Sequence, residues 1–347
     1  MPSAQPSVSV VVVNYNRAQL LTACLRSLMR QTVRPIEVIV VDNGSSDGSV
    51  EMVRREFPAN GPIPVLVVQN EENRGFCAAN NQGIAVAGGE VVALLNNDAE
   101  AEPEWLERLA APFADPGVGM TACKVMVWED PTRIDKVGHL IYWDGQNRGR
   151  GCGETDRGQY DRMEDCLWPD GCAAMYRRAM LEEIGGFDED FFAYADDAEL
   201  GLRARIAGWR CVYVPEAVVR HHRGQTLGVR STRRIELIER NRVLLVAKLF
   251  PWSLIWLNGV FYGARVAAGA VAAMRGRGEI SHYPGWKNKL RVAMALIRAD
   301  WQALLLLPRM WRKRRDVKRI RKLSSMQLIG LLWRHRISLG ELSQQST

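Results

Sequence analysis

The 347-residue chain contains no Cys-x-x-Cys pair. Its seven cysteines, Cys24, Cys77, Cys123, Cys152, Cys166, Cys172 and Cys211, are odd in number and widely spaced. That excludes a complete disulfide framework or a zinc ribbon and predicts reduced thiols. Residues 1–6 carry neither a basic segment nor an apolar one, so no secretory signal is expected. No G-x-G-x-x-G follows the first predicted strand, and no G-x-x-x-x-G-K-S/T occurs anywhere, so neither a dinucleotide fold nor a P-loop is expected. Phosphates would have to be handled by a metal ion and isolated side chains. Disorder is excluded as well, because 47% of the residues are apolar and 24% charged. The length predicts one large domain with an appendage, or two domains.

What is present is divided unevenly. Residues 241–347 hold 20 Lys and Arg against four Asp and Glu, a net charge of +16, while residues 1–240 hold 26 against 35, a net −9. An acidic body therefore carries a basic, apolar tail. The expected division is a catalytic domain over residues 1–230 and a helical region over 231–347.

In the body, β-branched runs at 7–13, 36–41, 64–68 and 91–95 read as strands buried on both faces. Helical spacing at 18–30, 50–57 and 76–87 separates them, and a short strand is expected at 211–214. Strand–helix alternation at this pitch predicts an α/β fold with a mostly parallel sheet. Ligands of such sheets collect at the carboxyl ends of the strands. Those ends carry Asn14-Tyr15-Asn16, Asp42-Asn43-Gly44, Asn70 to Arg74, and Asn96-Asn97-Asp98. A single polar turn would be ordinary, since Asn, Asp and Gly supply turn geometry. Four in register, two of them containing an aspartate, point to a site.

The chemistry follows from residue type. Asp42 can accept a hydrogen bond from N3–H of uracil or thymine, a donor cytosine lacks, with Asn14 and Arg74 approaching the same nucleotide. Asp98 offers a hard oxygen ligand suited to Mg²⁺ or Mn²⁺ bound largely through a substrate diphosphate. Asp196 and Glu199 read as a capping box for a helix over 198–207. That leaves Asp197 as the spare carboxylate for a general base, its alternative being a surface acid that complements the helix dipole. His221 or His222 could complete the metal site with Asp98, or the pair could be a solvated loop.

The ordered motifs Val-Val-Asn-Tyr-Asn (12–16), Val-Val-Asp-Asn-Gly-Ser-Ser-Asp-Gly (40–48), Asn-Arg-Gly-Phe (73–76), Leu-Leu-Asn-Asn-Asp (94–98), Gly-Gly-Phe-Asp-Glu (185–189) and Tyr-x-Asp-Asp-x-Glu-Leu-x-x-Arg (194–203) together resemble the family 2 inverting nucleotide-sugar glycosyltransferases. Their versions are most similar to the rhamnosyltransferase-like branch that builds bacterial cell-surface polysaccharide. The resemblance covers residues 7–226 and implies a GT-A fold, with Asp42 and Arg74 on the nucleotide. Asp98 becomes the metal ligand of the D-x-D element, whose first position here is the neutral Asn96, on the nucleotide side. Asp197 becomes the base that deprotonates an acceptor hydroxyl, and His221, in a His-x₄-Thr226 pattern, the further metal ligand. Asn16, Asn97, Asp196, His222 and the sugar-side loop residues Trp168 and Gly171 are secondary candidates. The donor implied is a UDP- or dTDP-sugar, dTDP-rhamnose among them, and the acceptor a lipid-linked or growing glycan. A catalytically inactive scaffold of the same fold is the alternative.

The tail is apolar over 249–264, is interrupted by Arg265, and then resumes over 266–274; both runs are short for a membrane span. Interfacial helices are expected, with Trp252, Trp256, Phe261 and Tyr262 at the headgroup level. Residues 309–322 contain nine Lys and Arg, and each basic residue near an anionic leaflet contributes roughly 1 kcal/mol. The expected location is the cytoplasmic face of the inner membrane, peripherally bound. The competing reading is a helical subdomain packed on the body or on a second copy of the chain. No recognised nucleic-acid motif accompanies the basic cluster, so nucleic acid is not an expected partner. Residues 130–165, polar and glycine-rich, read either as an acceptor-side loop region or as a surface excursion.

Overall fold

The computed structural model describes residues 5–223, 231–275 and 285–344. Strands β1 (Val8–Asn14), β2 (Glu37–Asp42), β3 (Val65–Gln69) and β4 (Val91–Leu95) alternate with helices α1 (Ala18–Met29), α2 (Ser49–Glu56) and α3 (Phe76–Val86). They pair in parallel in the order β4-β1-β2-β3. Alternate side chains of each strand enter opposite cores, because strand side chains have a period of two. Val10, Val12, Val38 and Val40 pack under α1 and α2, whereas Val11, Ile39 and Val41 face the other way, toward α3.

The second half of the sheet is mixed in direction. After β5 (Ala99–Ala101) and α4 (Trp105–Ala110) come β6 (Val118–Val127), β7 (Ile134–Lys136), β8 (His139–Ile141), β9 (Asn147–Gly149) and β10 (Glu164–Asp165). Then β11 (Ala173–Arg177) inserts antiparallel between β4 and β6 and leads into α5 (Arg178–Ile184), α6 (Asp196–Ile206) and β12 (Arg210–His221). Strands β6 and β12 keep the direction of β4, while β11 between β4 and β6 runs against them. Because β11 starts where β4 ends, Asp170 to Cys172 join the carboxyl edge of β1, β2 and β4. Strand β12 runs parallel to β6 as far as the His221–Val127 pair and also pairs with β5, bringing His221 beside Ala99. It is twelve residues long, not the short strand expected: a register shift between Val214 and Val218 takes up Pro215, so the strand continues past it.

The C-terminal helices are α7 (Thr232–Leu249), α8 (Trp252–Met274), α9 (Trp286–Ile320), α10 (Ser325–Arg334) and α11 (Leu339–Gln344). The two apolar runs, each short for a membrane span, lie in the single 23-residue helix α8, within which Arg265 turns inward to Asp144 (2.5 Å) and Glu239 (2.8 Å). One expectation fails here. Phe261 and Tyr262 do not face outward: Phe261 packs on Trp143, and the Tyr262 ring lies under the Arg242 and Arg265 guanidinium groups. Trp252 and Trp256 remain exposed.

Nor is the tail a separate body. Leu244, Leu245, Leu249, Met310 and Leu328 belong to the same buried cluster as Val11 and Leu200. Lys248 pairs with Glu199 (2.7 Å) and Asp188 (2.6 Å), Lys313 with Asp188 and Asp190, and Arg309 with Asp190 (2.7 Å).

Candidate active site

The strand ends converge as their register requires. Asn14 and Asp42 are paired across β1 and β2, and Asn14 Nδ2 donates to Asp42 Oδ2 at 3.0 Å. Asn97 Nδ2 in turn donates to Asn14 Oδ1 at 2.7 Å. Asp42 is 1% exposed, and its other oxygen accepts the Ser45 N–H. The buried carboxylate thus anchors the 43–46 turn, to which Asn16 also binds through the Ser46 N–H. Asn43 was not singled out in the sequence, yet its side chain receives the Arg74 N–H and donates to Asn73 and to the Gly75 carbonyl. Arg74 itself is exposed. Gly75, at φ 87°, cannot be replaced without strain, because a Cβ there would overlap the Phe192 ring.

Asp98 and His221 meet at the same edge. His221 Nε2 lies 3.3 Å from Asp98 Oδ1, an ion-pair distance, and Oδ1 is buried with no hydrogen-bond partner among the described residues. His221 Nδ1 is held 2.8 Å from Asp135 Oδ2. An imidazole oriented by a carboxylate on one nitrogen, with the other facing an orphaned carboxylate oxygen, fits a divalent cation. His222, its strand neighbour, points elsewhere: it stacks on Trp128 at 4.3 Å and faces Glu100. Asn96 contributes its backbone N–H to the Cys172 carbonyl. Thr226, of the His-x₄-Thr pattern, lies outside the described residues.

A second cluster surrounds Asp197. His139 Nε2 sits 2.9 Å from Asp170 Oδ2 and 3.4 Å from Asp197 Oδ2, and Lys136 Nζ donates to Asp170 at 2.8 Å. Asp197 also accepts the Gly171 N–H at 3.3 Å. Trp168 is fully buried, stacked on His139 at 5.8 Å, so it supports the cluster from within the core. His139, Asp170 and Asp197 are close enough together to surround a cation. The Lys136 ammonium already supplies the countercharge there, which favours the Asp98–His221 pair as the metal position.

Asp196 is not a cap. It is the first residue of α6, behind Ala195 at φ 53°, and no side chain caps the helix. The preceding turn is held instead by Asn241 of α7, whose Nδ2 donates to the Phe191, Ala193 and Tyr194 carbonyls. Burial, and then the adjacent Asp197 carboxylate, pushes Asp196 up to about 8. Burial also raises Asp197, against the pull of His139 and Lys136. Asp170, though buried, is held well below the usual carboxylate range by Lys136 and His139. Two neighbouring carboxyls are thereby separated in role: Asp196 keeps a proton, and Asp197 faces the cations that favour its charge.

Asp135, Lys136, His139 and Asp170 were missed in the sequence, the first three because residues 130–165 lack periodicity. The available signal was the placing of Asp135 and Lys136 between buried Ile134 and Val137.

With this geometry in hand, the relationships are plain. Residues 9–185 match the model of Glycosyl transferase family 2, and the chain belongs to that family. It is 30% identical over 256 residues to the O-antigen biosynthesis protein RfbC of Myxococcus xanthus, covering 71% of this chain and 19% of that protein. It is 29% identical over 244 residues to the N-acetylglucosaminyl-diphospho-decaprenol L-rhamnosyltransferase of Mycobacterium tuberculosis, covering 63% of this chain and 77% of that one. The chain spans only 26% and 19% of the length of two of the curated relatives it matches. Among solved structures, a mannosyltransferase of Pyrobaculum calidifontis in complex with GDP-Man and Mn²⁺ superimposes with a TM-score of 0.56 at 22% identity, covering 87% of this chain and 88% of that one. The fold is therefore GT-A, and the matched region is that of a family 2 member.

Asp196 gives a stability prediction. Its proton is kept in the fold up to about pH 8, whereas the unfolded chain loses it near pH ~4. The stability tied to the protonated form is therefore complete below that lower value and drains away as pH rises toward 8. Asp196→Asn should flatten this slope and raise Tm by roughly 5 °C at pH 7.5. A melting series from pH 5 to 8 with the wild-type slope intact would contradict it.

Proposed function

We propose that the chain is an inverting, metal-dependent transferase that moves a sugar from a UDP- or dTDP-sugar, dTDP-rhamnose foremost, to a lipid-linked or growing cell-surface glycan. The observation that carries the reading is the meeting, at one edge of the sheet, of an Asp98–His221 pair with an orphaned oxygen and an Asp197 carboxylate backed by cations. The named activity of the mycobacterial relative supports the choice of rhamnose and of a diphospho-polyprenol acceptor.

In this mechanism Asp42, Asn14, Arg74 and Asn96 form the nucleotide side, with Asp42 taking N3–H of uracil or thymine. Asp98 and His221 would hold Mg²⁺ or Mn²⁺, which supplies positive charge for the diphosphate. Asp197 removes the proton of the acceptor hydroxyl as its oxygen bonds the anomeric carbon. The bond from that carbon to the diphosphate breaks on the opposite face, and the nucleoside diphosphate departs with the bonding pair. Asp197→Asn should lower rhamnosyl transfer from dTDP-rhamnose to N-acetylglucosaminyl-diphospho-polyprenol by about 10²–10⁴-fold, with calorimetric binding of dTDP and Mn²⁺ retained. Transfer above about a tenth of wild type would reject the base role, and absence of nucleotide binding by the folded protein would favour the scaffold reading.

The site is placed, in this reading, at the cytoplasmic face of the membrane. Among the described residues α8 is long and apolar enough to cross a bilayer by length and composition. Arg265, bound to Asp144 and Glu239, ties one of its faces to the protein, so a surface orientation is preferred. Trp256 on α8 and Trp286, Ile297 and Trp301 on α9 are all more than 60% exposed, and exposed Lys287, Lys289, Arg291 and Arg298 accompany them. Apolar and basic side chains arranged this way suit an anionic interface. Vesicles containing phosphatidylglycerol should sediment the protein, and Trp256→Glu with Ile297→Glu should release it. Equal sedimentation of the double variant would reject this face.

A further inference from the structure

The base reading leaves the residues behind Asp197 without a task. His139 is 7% exposed and lies between two carboxylates, 2.9 Å from Asp170 and 3.4 Å from Asp197. Its ring is fixed on the far side by Trp168, stacked at an interplanar angle of 22°. Trp168 in turn leaves no room for a Cβ at Gly201 of α6, the helix that carries Asp197, so ring and helix are locked together. Asp170 cannot swing away either. Its Oδ1 accepts the Cys172 N–H and its Oδ2 the Lys136 ammonium. Gly138 makes the connection between Lys136 and His139 at φ 89°, where a Cβ would overlap the Cys166 sulfur.

We propose that His139, braced by Asp170 and Trp168, is the positioning residue that orients Asp197 and keeps it ionised for proton abstraction. This rests on the reading of Asp197 as base. The groups facing Asp197 are His139 and Lys136 from the β7–β8 segment, Asp170 ahead of β11, Tyr176 on β11, and Asp196 on its own helix. Two of these are cationic or become so, and three are acidic. Without His139, Lys136 is left as the cation on this side, and it is bonded to Asp170 rather than to Asp197. The proton affinity of Asp197 should then rise, since burial and like charges both disfavour its carboxylate. The facing carboxylates also raise the proton affinity of His139, against burial, as reciprocity between coupled groups demands.

The test is a carbon-13 titration of aspartate-labelled full-length protein, with the Asp197 carboxyl resonance assigned by its loss in Asp197→Asn. In His139→Gln, which keeps a donor but no charge, the Asp197 midpoint should rise by about one pH unit or more, a tenfold change in proton affinity. The kcat for dTDP-rhamnose should fall at least tenfold and its acid limb move to higher pH, while KM for dTDP-rhamnose and binding of dTDP with Mn²⁺ stay at wild-type values. An unchanged midpoint with unchanged kcat would overturn the proposal. Should His139→Gln fail to fold, nitrogen-15 titration of His139 in Asp197→Asn decides the same question: its midpoint should fall, and a wild-type value would overturn the coupling. The two readings separate cleanly. If Asp197→Asn retains transfer, the base assignment fails even where the titration shows the coupling. If that variant is inactive but the coupling is absent, only the present inference fails.

Discussion

Carboxylates buried beside one another have to be neutralised, and the architecture of this protein depends on how that is done. Asp98, Asp135, Asp170, Asp188, Asp196, Asp197 and Glu199 are all at least nine-tenths buried. Leaving one such group unpaired costs about 3–5 kcal/mol, comparable to the net stability of many domains. Six are answered locally: Asp98 and Asp135 by His221, Asp170 and Asp197 by Lys136 and His139, and Asp188 and Glu199 by Lys248. Among the described residues no cation of this kind pairs with Asp196, and it is the one driven to hold a proton. The segment from Asp135 to His139 serves both halves of the site, since Asp135 orients His221 while Lys136 and His139 face the Asp170–Asp197 side.

The same requirement explains the division of charge between body and tail. Part of the tail's positive charge is used against the body, where Lys248, Arg265, Lys313 and the half-exposed Arg309 reach acidic groups of the body or of α7. Asn241 adds hydrogen bonds that shape the turn leading into Asp197. The C-terminal helices consequently share one core with the candidate site. What they leave facing outward is a set of exposed aromatic and aliphatic side chains interleaved with exposed lysines and arginines.

The parallel half of the sheet was legible because each strand is a β-branched run buried on both faces, and its polar ends had only one edge to occupy. Asn14, Asp42 and Asp98 lie at the strand ends that the sequence marks, whereas His221 came from its motif and reaches the same edge only because β12 is longer than expected. Legibility stopped where tertiary contacts replace local ones. The supposed cap at Asp196 fails because α7 organises that turn, and a charge at Arg265 is tolerated inside the long helix α8 because buried partners exist for it. Lys136 and His139 were invisible for a related reason: β7 and β8 are three residues each, too short to show a period. Trp168 looked like a sugar contact but is core, its ring held between the Gly201 backbone and His139.

The central claim is that the cation belongs to Asp98 and His221, while the His139–Asp170–Asp197 cluster serves the proton. Anomalous scattering at the manganese edge from crystals grown with Mn²⁺ and UDP tests it directly. The account predicts one manganese peak bound to Asp98 Oδ1 and His221 Nε2 and bridging to the diphosphate, with Lys136 still on Asp170. A peak among His139, Asp170 and Asp197, with Lys136 displaced, would contradict it.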